Sequence, residues 1–268
     1  MPFVTVNNIQ IYYKISGVGP RLLFISGTEG DLRRKPNIFD YPLAQHFEIL
    51  AYDQRGLGRS DKPDISYTMM DYAMDADGLM KALGWDSCNV VGVSFGGMVA
   101  QEFALSYPQR IERLVLACTS SGGIGGTSYP LHELFNLSLK EKAIRIVKLR
   151  DKRRDKAWQF ANKKHFQDLV DQTVKKLMVG RNEPGRKIGS RRQLEARLGH
   201  DTYDRLPNLW MPVLICGGRY DGIAPVENLK AICKQISNSR LELFEGGHLF
   251  YLQDSKAFEL ITEFLLSK

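Results

Sequence analysis

The most constraining feature of this chain is Gly92-Val93-Ser94-Phe95-Gly96-Gly97, which closes one apolar run and opens an amphipathic one. A Gly-x-Ser-x-Gly at a strand-to-helix turn lifts the serine hydroxyl above the sheet on a tight backbone turn. Its glycines are needed because side chains there would collide with neighbouring backbone. The run before it, Cys88-Asn89-Val90-Val91-Gly92-Val93, is continuous, as expected of a strand covered on both faces. Arg21–Ile25, Phe47–Tyr52, Arg113–Cys118 and Pro212–Cys216 repeat that pattern, and Leu241–Phe244 reads as a last strand.

Helical periods lie between the runs. Met69, Ala73, Ala76, Met80 and Leu83 recur at helical spacing, behind Thr68 and Asp71 in the arrangement of a capping box. Phe95 to Tyr107 reads as a helix stopped by Pro108. Asp254 is expected to cap a final helix whose Phe258, Ile261, Phe264 and Leu265 share a face. At the start, Phe3–Val6 and Ile9–Tyr13 flank Asn7-Asn8, a two-residue hairpin turn. This order predicts an α/β fold with a mostly parallel mixed sheet flanked by helices. At 268 residues, 43% hydrophobic and 25% charged, the chain suits one core with an insertion and excludes disordered, collagen-like and coiled-coil classes. No apolar run is long enough to span a bilayer and no secretory signal is visible, so a cytoplasmic protein without membrane attachment is expected. Cys88, Cys118, Cys216 and Cys233 form no Cys-x-x-Cys pair. They are expected to be reduced and buried, with no metal site.

The strand–helix alternation breaks between Ser121 and Pro207. Residues 121–207 read as a helical cap inserted into a core made of 1–120 and 208–268, entered through a Gly-rich hinge or entry loop, Ser121–Ser128. Residues 120–205 hold 20 Lys and Arg against 10 Asp and Glu, while the rest of the chain holds 17 against 20. That asymmetry fits an anionic substrate, an acidic partner or nucleic acid, or simply a solvated outer face. Lys148–Lys156 interleaves acids and lacks aromatic stacking positions, which argues against nucleic acid.

A serine hydroxyl needs a base to become a nucleophile. Of His46, His132, His165, His200 and His248, only His248 follows a strand end on the side where parallel strands gather their loops. Asp221, after the strand ending at Cys216, is the expected carboxylate partner. Asp53 also ends a strand, but Asp53–Ser60 reads as a structural loop whose charges pair with each other. Ser94, Asp221 and His248 then fall in the chain order Ser, Asp, His. The amides of Phe95, at a helix N-terminus, and of Thr28, in the loop after Ile25, are the expected oxyanion donors. Leu131, Leu134, Phe135 and Trp158 are candidates for an apolar substrate wall.

Tyr52–Ser60, the Ser94 elbow, Tyr107-Pro108-Gln109-Arg110-Ile111, Gly218-Arg219-Tyr220-Asp221 and Gly246-Gly247-His248 together resemble the α/β-hydrolase fold superfamily over nearly the whole chain. Within it the chain is similar to small carboxylesterases, 3-oxoadipate enol-lactonases and cofactor-free haloperoxidase-like esterases. The resemblance implies a serine hydrolase that needs no cofactor and cleaves a small ester or lactone through an acyl-enzyme. Carbon–carbon bond hydrolysis, thioester cleavage, perhydrolysis and a non-enzymatic ligand receptor stand as alternatives on the same fold. Two departures matter. Ser26-Gly27 stands where many relatives have His-Gly, and Glu29 adjoins the oxyanion loop, where it is expected to point to solvent near Arg33, Arg34 and Lys35.

Overall fold

The computed structural model describes residues 2–267. Eight strands form one sheet: β1 (Phe3–Val6), β2 (Ile9–Ser16), β3 (Arg21–Ile25), β4 (Glu48–Tyr52), β5 (Cys88–Val93), β6 (Ile111–Ala117), β7 (Val213–Gly218) and β8 (Ser239–Phe244). Their order is β1-β2-β4-β3-β5-β6-β7-β8. The β1/β2 and β2/β4 pairs are antiparallel, and the other five are parallel. Asn7 and Asn8 both take positive φ, 48° and 62°, as a two-residue hairpin requires.

Alternate residues of the parallel strands go to opposite faces. Leu23, Ile25, Leu50, Val90, Leu116 and Ile215 join a cluster with α1 (Met69–Ala82), α2 (Phe95–Ser106) and α7 (Val226–Gln235). Leu22, Ile49, Val91, Val115, Leu214 and Cys216 pack on the other face with α8 (Lys256–Leu266). Burial on both sides explains the unbroken apolar runs. Thr68 caps α1 in the expected capping box with Asp71. Asp254 Oδ1 accepts from the Lys256 amide at the start of α8.

Between β6 and β7 the chain adds no strand to the sheet. It forms α3 (Leu139–Arg150), α4 (Lys156–Ala161), α5 (Lys163–Met178) and α6 (Arg186–Leu198), here called the cap. Its own apolar cluster is small: Ala143, Val147 and Val170 are buried, with Ile144, Phe166, Leu169, Val174 and Leu177 packed around them. The Gly-rich entrance is not a free hinge. Gly122 bridges to Asp201, and the Ser121 carbonyl accepts from the Thr202 amide at 2.8 Å, so the loop is clamped to the chain leaving the cap.

Candidate active site

Strand order gathers the predicted residues at one edge of the sheet. β3 and β5 are neighbours, with Ile25 opposite Gly92, so the loop after β3 lies beside the turn after β5. The direction of strand addition reverses there, and such switch points open a crevice at the carboxyl ends of the strands. β7 and β8 pair from Val213–Ser239 to Gly218–Phe244, which brings Asp221 and His248 together.

Ser94 holds φ 56° and ψ −117° as the residue before α2, a sparsely populated conformation for a residue with a side chain. Its amide donates to the Ala117 carbonyl at 2.8 Å, and its carbonyl accepts from Thr119 Oγ1 at 2.8 Å. The turn closes only because Gly96 has no side chain: a Cβ there would lie 2.0 Å from the Ile25 carbonyl oxygen.

His248 and Asp221 are both buried, with His248 Nδ1 2.7 Å from Asp221 Oδ2. Asp221 Oδ1 accepts from the amides of Ile223 at 2.7 Å and Ala224 at 3.0 Å. The carboxylate is thus held at both oxygens, and Nδ1–H is the tautomer that fits it, leaving Nε2 free of a proton. Ser94 and His248 line the same cavity of about 220 Å³, although no hydrogen bond joins them. A Cβ on Gly27 would sit 3.4 Å from Ser94 Cβ, so the Gly27-Thr28 turn lies against the serine. Among the described residues, neither the Thr28 nor the Phe95 amide donates to a protein group. The Phe95 ring is buried against Tyr72, so only its backbone is available to the site.

The cap closes over this edge through the end of α3. The Arg150 carbonyl accepts from the His248 amide at 2.6 Å, and the Leu149 carbonyl accepts from the Gly222 amide at 3.0 Å. These helix-terminal carbonyls have no intrahelical partner, and the two loops carrying Asp221 and His248 supply one. Gly247 is obligatory at this seam, since a Cβ there would lie 1.8 Å from the Arg150 carbonyl oxygen.

Of the expected substrate wall, Leu131 and Leu134 line the cavity. Phe135 instead lines an adjoining cavity with Lys142, Leu177 and Arg186. Trp158 lies on α4 with its ring against His165 and lines neither cavity. Further apolar and aromatic lining comes from residues that include Ile146, Leu177, Leu194, Ile223, Leu249 and Tyr251. Part of it had a sequence signal. Lys142, Ile146 and Arg150 recur every four residues on α3 and all face the cavity.

Two charge assignments are corrected. Glu29 does not point to solvent. It takes φ 56°, lines the cavity and lies 3.1 Å from Lys142 Nζ and 3.9 Å from Arg186. Burial alone would raise its carboxyl, but Lys142, Arg186 and Arg34 outweigh that and hold it below its ordinary range. The Asp53–Ser60 charges do not pair with each other. Arg55 pairs with Asp75 on α1 at 2.6 Å, while Asp53 accepts from the Leu32 and Arg59 amides. Burial pushes Asp53 up to about 6, and it makes no contact with His248.

The alpha/beta hydrolase fold family model matches residues 20–255. A proline iminopeptidase of Saccharolobus solfataricus is 30% identical over 292 residues, 96% of this chain and 89% of that protein. A poly(3-hydroxyalkanoate) depolymerase of Ectopseudomonas oleovorans is 28% identical over 228 residues, 81% of this chain and 75% of that one. Among solved structures, the enol-lactonase from Burkholderia xenovorans LB400 superposes with a TM-score of 0.79 at 22% identity, covering 98% of this chain and 99% of that one.

Proposed function

We propose that this chain, which belongs to the alpha/beta hydrolase fold family, is a serine hydrolase that cleaves a small carboxylic ester or lactone through an acyl-enzyme. The observation that carries the reading is the buried His248–Asp221 pair at 2.7 Å, on the wall of the cavity that Ser94 also lines. Ser94 Oγ attacks the carbonyl carbon while His248 Nε2 takes its proton. Asp221 fixes the ring tautomer and stabilises the imidazolium. The amides of Thr28 and Phe95 receive the oxyanion, the second with the dipole of α2 behind it. His248 passes the proton to the leaving oxygen, then activates the water that releases the acid.

The ester reading is supported by the depolymerase relative and the enol-lactonase neighbour, and by a cavity of about 220 Å³ with a mainly apolar wall. An aminopeptidase reading, which the iminopeptidase relative brings, needs an acid to hold the substrate's ammonium. The carboxylate that lines the cavity, Glu29, is already held by Lys142 and Arg186. The test is a fluorophosphonate probe with an ester and lactone panel. Ser94 alone should be labelled, and Ser94→Ala should lower turnover by about 10⁵–10⁶ without loss of fold. An unlabelled, folded protein with no turnover on the panel would sink the proposal.

A further inference from the structure

The cavity wall carries more positive charge than the chemistry uses. Its charged side chains are Arg34, Lys142 and Arg150 against Glu29. Nearby acids are already engaged. Glu29 is taken by Lys142 and Arg186, Asp31 and Glu183 by Arg33, and Asp151 by Arg153 and Gln253. Arg34 donates once, from Nη1 to the Glu29 carbonyl at 2.7 Å, while its buried Nε and Nη2 meet no protein acceptor. Among the described residues, Arg150 forms no ion pair, and its side chain donates no hydrogen bond to the protein. Leaving the buried Arg34 donors unmatched costs folding free energy unless something else pairs with them, while Arg150 presents its donors to the cavity without a protein partner.

Both arginines are held below their ordinary values, chiefly by burial, and Arg34 adds repulsion at Arg150. They stay protonated at neutral pH nonetheless. Lys176 shares an adjoining cavity with Arg150 and adds to the same field.

We propose that Arg34 and Arg150 form an anion subsite in the catalytic cavity, and that the substrate carries a carboxylate there besides the bond to be cut. A planar guanidinium fork matches a planar carboxylate, and two forks facing one small cavity select a short anionic acid. The place of the scissile bond rests on the proposed role of Ser94, whereas the anion subsite rests on the arginines alone. Lys142 is excluded as the main anchor because Glu29 occupies it.

The test uses monomethyl glutarate and its neutral counterpart, in which an amide replaces the free carboxylate. The readout is the ratio of the two kcat/KM values within each protein, which a general loss of fold does not change. Native protein should favour the anion, and Arg34→Gln and Arg150→Gln should each lower the ratio by about 10–100-fold. Arg34→Lys should restore part of it. Arg150→Gln keeps the test open if Arg34→Gln does not fold, because the Arg150 side chain has no hydrogen bond to lose. In parallel, glutarate is titrated calorimetrically onto the Ser94→Ala protein, with and without Arg150→Gln, and its binding should weaken about tenfold or more with the substitution. Hydrolysis of both esters with a ratio that neither variant moves overturns the subsite and leaves the hydrolase reading standing. If neither ester is cleaved, glutarate binding that depends on Arg150 still supports the subsite, and absence of binding overturns it.

Discussion

The sheet edge and the cap face each other across one cavity, and they are built by opposite means. On the sheet side, the Asp221 carboxylate and the Ser94 backbone have their polar contacts met within the fold. Asp221 is held at both oxygens, and the Ser94 backbone is fixed by Ala117 and Thr119. Two large apolar clusters lock the strands that carry them. The cap has a small cluster of its own and presents Arg150 unmatched, while Arg34 meets it from the loop after β3. Satisfied contacts hold a reacting geometry still, and unmatched ones wait for a ligand. In the proposed reading, the chemistry belongs to the sheet edge, and selection of the substrate to Arg150 of the cap together with Arg34 of the loop after β3.

The strongest way to break that division is at the two carboxylates. Asp221→Asn should lower kcat by about 10⁴, the loss expected when the histidine tautomer is no longer enforced. Asp53→Asn should keep turnover and lose about 1–3 kcal/mol of stability, because an amide NH₂ would face a backbone donor, Leu32 or Arg59. Kinetics beside denaturant unfolding separate the two, and a folded Asp53→Asn without activity would reverse the assignment.

A second test acts on the seam. Gly247→Ala must move either His248 or the end of α3, and a displacement near 1 Å should cost turnover about 10²-fold. Gly199→Ala is the control, since the nearest atom to a Cβ there is 3.7 Å away. Equal effects from the two substitutions would show that the seam does not position the base.

At the foot of the cap, buried His200 donates from Nε2 to the Ser120 carbonyl and is pushed down to about 4 by burial. The unfolded chain binds the proton at about 6.5, so between these values the unfolded state holds more protons. The stability linked to keeping His200 neutral is complete above about pH 6.5 and is lost as pH falls toward 4. Relative to His200→Gln, the native protein should lose about 3 kcal/mol across that window. A pH-independent difference between the two unfolding curves would remove the assignment.

The smallest expected effect concerns salt. Many cap cations, among them Lys140, Arg145, Lys163 and Lys164, are exposed, and their field is screened over about 8 Å at physiological ionic strength. Arg34 and Arg150 line the cavity, where screening is weaker. Preference for the anionic ester should therefore change less than about twofold as salt rises. A steep decline would move recognition from the cavity wall to the outer face of the cap.

Much of the sheet edge was legible without coordinates, because its signals are local. β3 and β5 have the bounds their apolar runs indicate, and Thr68 with Asp71 caps α1 as the spacing requires. Ser94, Asp221 and His248 each follow a strand, and parallel strands deliver such loops to one side. The cap was legible only as helical and basic. Trp158 has the size and apolarity of a wall residue, yet α4 carries it away from the cavity. Glu29 was misplaced because its partners, Lys142 and Arg186, lie far along the chain.

A sheet with a serine elbow, the order of the candidate site residues and a basic helical segment between two strands are all legible in the chain before it folds. These depend on periodicity, turn chemistry and strand direction, which act over a few residues. Which cations face the cavity depends instead on how the cap packs. Lys142, Ile146 and Arg150 form one stripe of α3, and Ala143 and Val147 form the next. Spacing defines both stripes but not which one turns inward. Packing of Ala143 and Val147 against Val170 of α5 sets the rotation of the helix and aims Arg150 at the cavity that Arg34 enters from the other side.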